Sequence, residues 1–184
     1  MKKVILLAIG IVLATTTMAA TTVAATKAAA PSTITKAEIS TLATVAAIDK
    51  DEILLGVVAL NKHAPSYINN FANMMISMHG ENLTEIMQLA HQYHVSSLTN
   101  AMSNHFIAAG DKEVITMGGM NGEQFYKAYV NAAVTDHTGA LHLIDTKLMQ
   151  TATTPTIKKF MVATRAVVAM HLEHAKEMQK KIHA

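Results

Sequence analysis

Apolar residues recur every three to four positions along four long stretches of the chain, the spacing of amphipathic helices. The first predicted helix, A, opens at Thr35-Lys36-Ala37-Glu38. This is a capping box, in which a threonine hydroxyl and a glutamate carboxylate each take a free backbone N–H. Ile39, Leu42, Ala46, Ile53 and Leu60 fall on one face, Val45, Ile48, Leu55 and Ala59 flank it, and Glu52 sits among them. Helix A should run to about His63, because Ala64-Pro65 breaks the pattern.

Helix B is predicted from Pro65-Ser66 to about His94. Its apolar stripe is Ala72, Met75, Ile76, His79, Leu83, Ile86 and Ala90, so His79 lies within the stripe. Helix C follows Asn121-Gly122 and runs to about Met149, with Tyr126, Val130, Ala133, His137, Ala140, Ile144 and Leu148 on one face. Helix D takes Thr154 as its cap and Pro155 as its first residue. Its stripe is Phe160, Val167, Val168, His171, Ala175, Met178 and Ile182. Between B and C the pattern weakens. Asn100–Ala109 and Lys112–Met117 are expected as short helices, with breaks at Gly110-Asp111 and Gly118-Gly119.

Two helical hairpins, A–B and C–D, joined by a longer connection, make an antiparallel four-helix bundle the expected all-α fold. With ~1.5 Å of rise per residue, Glu52, His79, His137 and His171 come to depths that agree within roughly 10 Å. One polar residue per helix, each in an apolar stripe, defines a constellation. A buried imidazole or carboxylate is costly unless it is paired or bonded. Two readings follow. In one, Glu52, His79, His137 and His171 ligate a metal ion, with Asp136, Glu81 and Glu173 as supporting or alternative ligands. In the other, the four form a self-satisfied polar layer that fixes helix register and binds nothing.

A short pattern, Met-His-x-Glu-x-x-x-Glu, occurs twice: Met78, His79, Glu81, Glu85 and Met170, His171, Glu173, Glu177. Methionine extends the theme. Met87, His91 and His94 follow each other at helical spacing, as do Met170, His174 and Met178. Met74, Met75, Met78, His174 and Met178 are candidates for a second, softer site. Met78 is one position off the stripe of His79, which sets it apart from the central group and beside Met74. Thioether and imidazole together suit copper(I), whereas magnesium and calcium want oxygen. Alternatively, methionine simply fills gaps in a core that has few aromatic rings.

Composition supports this picture. The chain has 13 Met and 10 His but no Cys and no Trp, so disulfides and thiolate ligands are excluded. A formal net charge of +2 is no footprint for nucleic acid. The start of the chain reads as a secretory signal peptide over residues 1–25: Met1-Lys2-Lys3 is basic, Val4–Leu13 is apolar, and Ala19 or Ala25 could end it. Its apolar run is too short to span a bilayer. Residues 26–34 read as a flexible lead-in, and residues 35–184 as the helical domain. The periplasm or the cell exterior is the expected location, with no transmembrane segment in the mature chain.

Several stretches resemble the bacterial DUF4142 family. They are Asp51-Glu52-Ile53-Leu54-Leu55-Gly56, Phe71-Ala72-x-x-Met75 leading to His79, and Gly122-Glu123-Gln124-Phe125-Tyr126-x-x-Tyr129. Val134-Thr135-Asp136-His137 and His171-Leu172-Glu173-His174-Ala175 complete the set, and the resemblance runs from about residue 36 to 180. It implies a secreted helical protein of ferritin-like architecture and carries no established activity. The chain departs from the family in having Met78 where an Asp usually precedes the helix-B histidine, and Tyr126 where Asp usually follows Phe125. The first change replaces a hard oxygen by a soft sulfur.

The expected function is metal binding with copper favoured, for buffering or sequestration. The alternative is a structural or interaction module of the cell envelope with a metal-free polar core. A di-iron enzyme of the ferritin type needs Glu-x-x-His motifs, and this sequence has none. Nor does it contain Gly-x-Ser-x-Gly, a phosphate-binding glycine loop or His-Glu-x-x-His.

Overall fold

The computed structural model describes residues 33–182, and every regular element among them is helical. The expected signal peptide and most of the lead-in lie outside these residues. Helix α1 spans Lys36–Leu60, α2 Ser66–Gln92, α3 Ala101–Gly118 and α4 Gly122–Leu143. A π-helical turn over Ile144–Leu148 carries α4 into a short α5, Met149–Thr151, and α6 spans Pro155–Ile182. No described helix is long and apolar enough to cross a membrane.

Local chemistry sets most of the boundaries. The Thr35–Glu38 capping box forms as read, with Thr35 Oγ1 accepting from the Glu38 N–H and Glu38 Oε2 from the Thr35 N–H. Helix α2 ends in a glycine-type cap made without glycine. His94 adopts a left-handed φ of 55°, and the Val95 N–H reaches back to the Ala90 carbonyl at 2.8 Å. Asn100 caps α3 by accepting from Met102 N and Ser103 N.

Two expectations about the elements need correction. The predicted break at Gly110-Asp111 does not occur: α3 runs through it unbroken. Gly110 is there because α3 crosses α1 closely, and a Cβ at this position would overlap the Asp51 carboxylate. Helix A is also not one-sided. Residues 41–47 are all buried, because α2 covers one flank of α1 and α3 another. A helix covered all round has no single apolar stripe, and Leu60 of the predicted stripe is 36% exposed.

The core divides into two apolar clusters. One joins Leu55 and Ala59 of α1, Phe71 and Met75 of α2, Phe125 and Ala133 of α4, and Ala175 of α6. The other joins Leu42 and Ala46 of α1, Ile86 of α2, Ile144 of the π turn, and Phe160 and Val168 of α6. The first cluster takes the ends of α1 and α6 and the beginnings of α2 and α4, and the second takes the opposite ends, so α2 and α4 run parallel to each other and antiparallel to α1 and α6. Between the clusters, in all four helices, lie polar residues: Asp49 and Glu52, His79, His137 and His171.

Candidate metal centre

His79, His137 and His171 are all buried, at 4%, 2% and 0% exposure. One nitrogen from each ring lies within 4.8 Å of its counterparts. The ring centroids are 5.8 Å (79–137), 5.0 Å (79–171) and 5.3 Å (137–171) apart. Each histidine is placed by the middle of a different helix, where an apolar stripe turns its face inward.

The outer nitrogens are all engaged. His79 Nδ1 lies 2.8 Å from Asp49 Oδ1. Asp49 Oδ2 accepts in turn from Asn82 Nδ2 at 2.9 Å, and Asn82 Oδ1 accepts from the Thr164 hydroxyl at 3.0 Å. His137 Nδ1 lies 2.9 Å from the Ala133 carbonyl, to which it donates. His171 Nε2 faces Met78 Sδ at 3.4 Å. What remains is His79 Nε2, His137 Nε2 and His171 Nδ1. All three are buried and have no hydrogen-bond partner. Donation to acceptors on the outside fixes the tautomers so that these inner atoms present lone pairs.

Charge acts on the rings in opposite senses. Burial pushes His79 down, but the Asp49 hydrogen bond and the charges of Glu52 and Asp49 more than reverse this, and its pKa is raised. His171 has no carboxylate against it. Burial and the neighbouring histidines 79, 137 and 174 lower it to about 3, which keeps the ring neutral.

The remaining candidates fall elsewhere. Glu52 is buried, but its Oε1 lies 3.6 Å from His137 Nδ1, on the outer side of that ring. Asp136 is half-buried and lines a recess with Asp51, Glu52 and Glu113. Burial and the charges of Glu113, Glu52 and Asp51 push Asp136 up to about 7. Burial and the charges of Glu52, Glu113 and Asp111 do the same to Asp51. Glu81 and Glu173 are exposed and pair with Ser77 and Lys176. They therefore do not support the histidines, and in the repeated Met-His-x-Glu pattern only the histidine is shared by the centre.

The five soft candidates do not gather as one group. Met75 and Met178 belong to the apolar core, and Met178 also lines a recess together with Met74 and His174. Met74 Sδ lies 3.3 Å from His174 Nδ1 at the surface. Met78 touches His171 itself, so the expectation that it stands apart with Met74 is corrected. Being one position off the stripe brings its flexible thioether to the outer edge of the neighbouring helix's ring. Sequence reasoning also missed Asp49, Asn82 and Thr164. A signal was present for Asp49, which precedes Glu52 by three positions and so shares its helix face.

Fold and centre together define an all-helical protein with a buried three-histidine cluster. The chain matches the family described as Domain of unknown function (DUF4142) over residues 23–178. It belongs to that family. No curated protein and no solved structure matches it.

Proposed function

We propose that the protein binds a transition-metal ion between His79, His137 and His171, as a non-enzymatic carrier or buffer, with copper the favoured ion. One observation carries this reading: the three rings bring a nitrogen each within 4.8 Å of the others, and each ring keeps one buried nitrogen with no hydrogen-bond partner. A polar layer built only for register would satisfy its own members. This one satisfies the outer nitrogens and leaves the inner ones free, which is how metal-ligating histidines are held. Three imidazoles suit copper, zinc, iron or nickel. The thioethers of Met78 and Met74 stand outside the central point, beside the outer nitrogen of His171 and beside His174 at the surface, and copper is favoured because such soft sulfur next to the centre suits the approach of Cu(I). We further read the fold as a ferritin-like bundle of α1, α2, α4 and α6, preceded by a leader that directs it to the periplasm or beyond.

Purified metal-free protein should take up one Cu(I) per chain in a chelator competition, with a dissociation constant well below micromolar. Replacing the three histidines together with alanine should remove that binding while circular dichroism still reports a helical protein. Binding no tighter than micromolar, or binding unchanged in the triple variant, would sink the proposal. Parallel titrations with Cu(II) and Zn(II) test the choice of ion.

A further inference from the structure

A second cluster of charge lies outside the histidine centre. Helices α1, α3 and α4 enclose a recess of about 380 Å³. Four carboxylates line it, Asp51, Glu52, Glu113 and Asp136, and none of the lining residues is basic. Acidic residues collect on many protein surfaces with no consequence, so their number alone decides nothing. Two further features set this recess apart.

The first is Glu52. It is only 7% exposed, lines the recess, and accepts no hydrogen bond among the described residues. Its nearest potential donor, His137 Nδ1, is 3.6 Å away and gives its proton to the Ala133 carbonyl. Neither of its oxygens is among the fully enclosed atoms that lack a partner, so the carboxylate opens to the recess, where a cation can complete it. The second is Asp51, whose Oδ1 is buried without a partner. The absence of a side chain at Gly110 makes the room it occupies.

We infer that this recess is a second cation site, distinct from the histidine centre, for a hard divalent ion of the manganese, magnesium or calcium class. All of its donors are oxygens, the ligands those ions prefer. The carboxylates do not close into a three-way cage as the histidine nitrogens do. An ion held here therefore keeps part of its water shell and bridges to Asp51, Glu52, Glu113 and Asp136 through it. Glu52 is the wall common to both sites.

Manganese(II) is the probe, because its free aqua ion gives a paramagnetic resonance signal that disappears on binding. The full chain should remove one Mn(II) saturably, with a dissociation constant on the order of 10⁻⁴ M or tighter. Glu113→Gln with Asp136→Asn keeps the side-chain shapes and should weaken this at least tenfold. Glu113→Gln alone, at the rim, should weaken it several-fold and carries the test if the double variant does not fold. The triple histidine variant should still bind Mn(II) normally, which separates this site from the copper proposal. Absence of saturable binding, or binding that survives both carboxylate variants, overturns the inference. So does binding lost only with the histidines, since the ion would then occupy the histidine centre.

Discussion

At the scale of single residues, the structure separates groups that face the centre from groups that hold them there. Asp49 is of the second kind. It takes the outer proton of His79 and is itself braced by Asn82 and Thr164. Such a carboxylate orients the ring and raises its basicity as a ligand. Asp49→Asn should therefore weaken Cu(I) binding by about 10- to 100-fold. A competition titration measures the loss, and unchanged affinity would show that the ring needs no such support. The three histidines were legible in the sequence because each interrupts an apolar stripe at helical spacing. Their supports were not. Asn82 and Met78 lie off the stripe of α2, and only the side-by-side packing of helices brings them to a partner 80 or more residues away. The placement of Glu52 was half legible: its burial followed from the pattern, but which side of His137 it would face did not.

At the scale of elements, glycines give the sharpest contrast. Gly56 lies where α1 meets α2: a Cβ there would sit 2.8 Å from Ile76 Cγ1 and 3.0 Å from the Ala72 carbonyl. Gly80 lies in the middle of α2 with open space around it, so neither close packing nor the centre explains it. Alanine is favoured over glycine in a helix by about 1 kcal/mol. Gly80→Ala should gain about that much and raise the melting temperature by roughly 2–4 °C. Gly56→Ala should lower stability despite the same propensity gain, because the backbone carbonyl cannot yield cheaply. Thermal unfolding of both variants checks the pair, and equal shifts would contradict the close α1–α2 contact. The four long helices were readable from their periodicity and caps. Helix α3 was read as two pieces because a Gly-Asp step resembles a break, and only tertiary packing shows that Gly110 serves a crossing. The π turn after α4 left no mark, since one extra residue per turn preserves the apolar spacing of Ile144 and Leu148.

At the scale of the whole molecule, one carboxylate ties the first helix to the last. Glu38 completes the cap of α1 and also accepts from the backbone N–H groups of Thr153 and Thr154 at the start of α6. Burial raises its pKa, but the backbone bonds of Thr154 and Thr35 and the threonine hydroxyls outweigh that and bring it down to about 2. The folded protein therefore favours the ionised form. Its contribution is complete above the ordinary value of 4.5 and is lost as pH falls toward 2. Glu38→Gln should lose about 1.5–3 kcal/mol at neutral pH, the range for hydrogen bonds to a charged group. Its stability should also fall less steeply than that of the native chain between pH 4.5 and 2. Urea unfolding across this range reads both effects. The capping box announced Glu38 as a local residue. Its second role joins positions more than 100 apart, and no pattern along the chain signals that.

The division of the core into two apolar clusters has a consequence for time as well as for energy. The histidine centre lies between them, so an ion bound there would be stoppered at both ends by packed side chains. Exchange with solvent then waits on transient separation of helices, an event governed by local stability. If the centre holds an ion, how long it stays is set by how often the helices separate rather than by affinity alone.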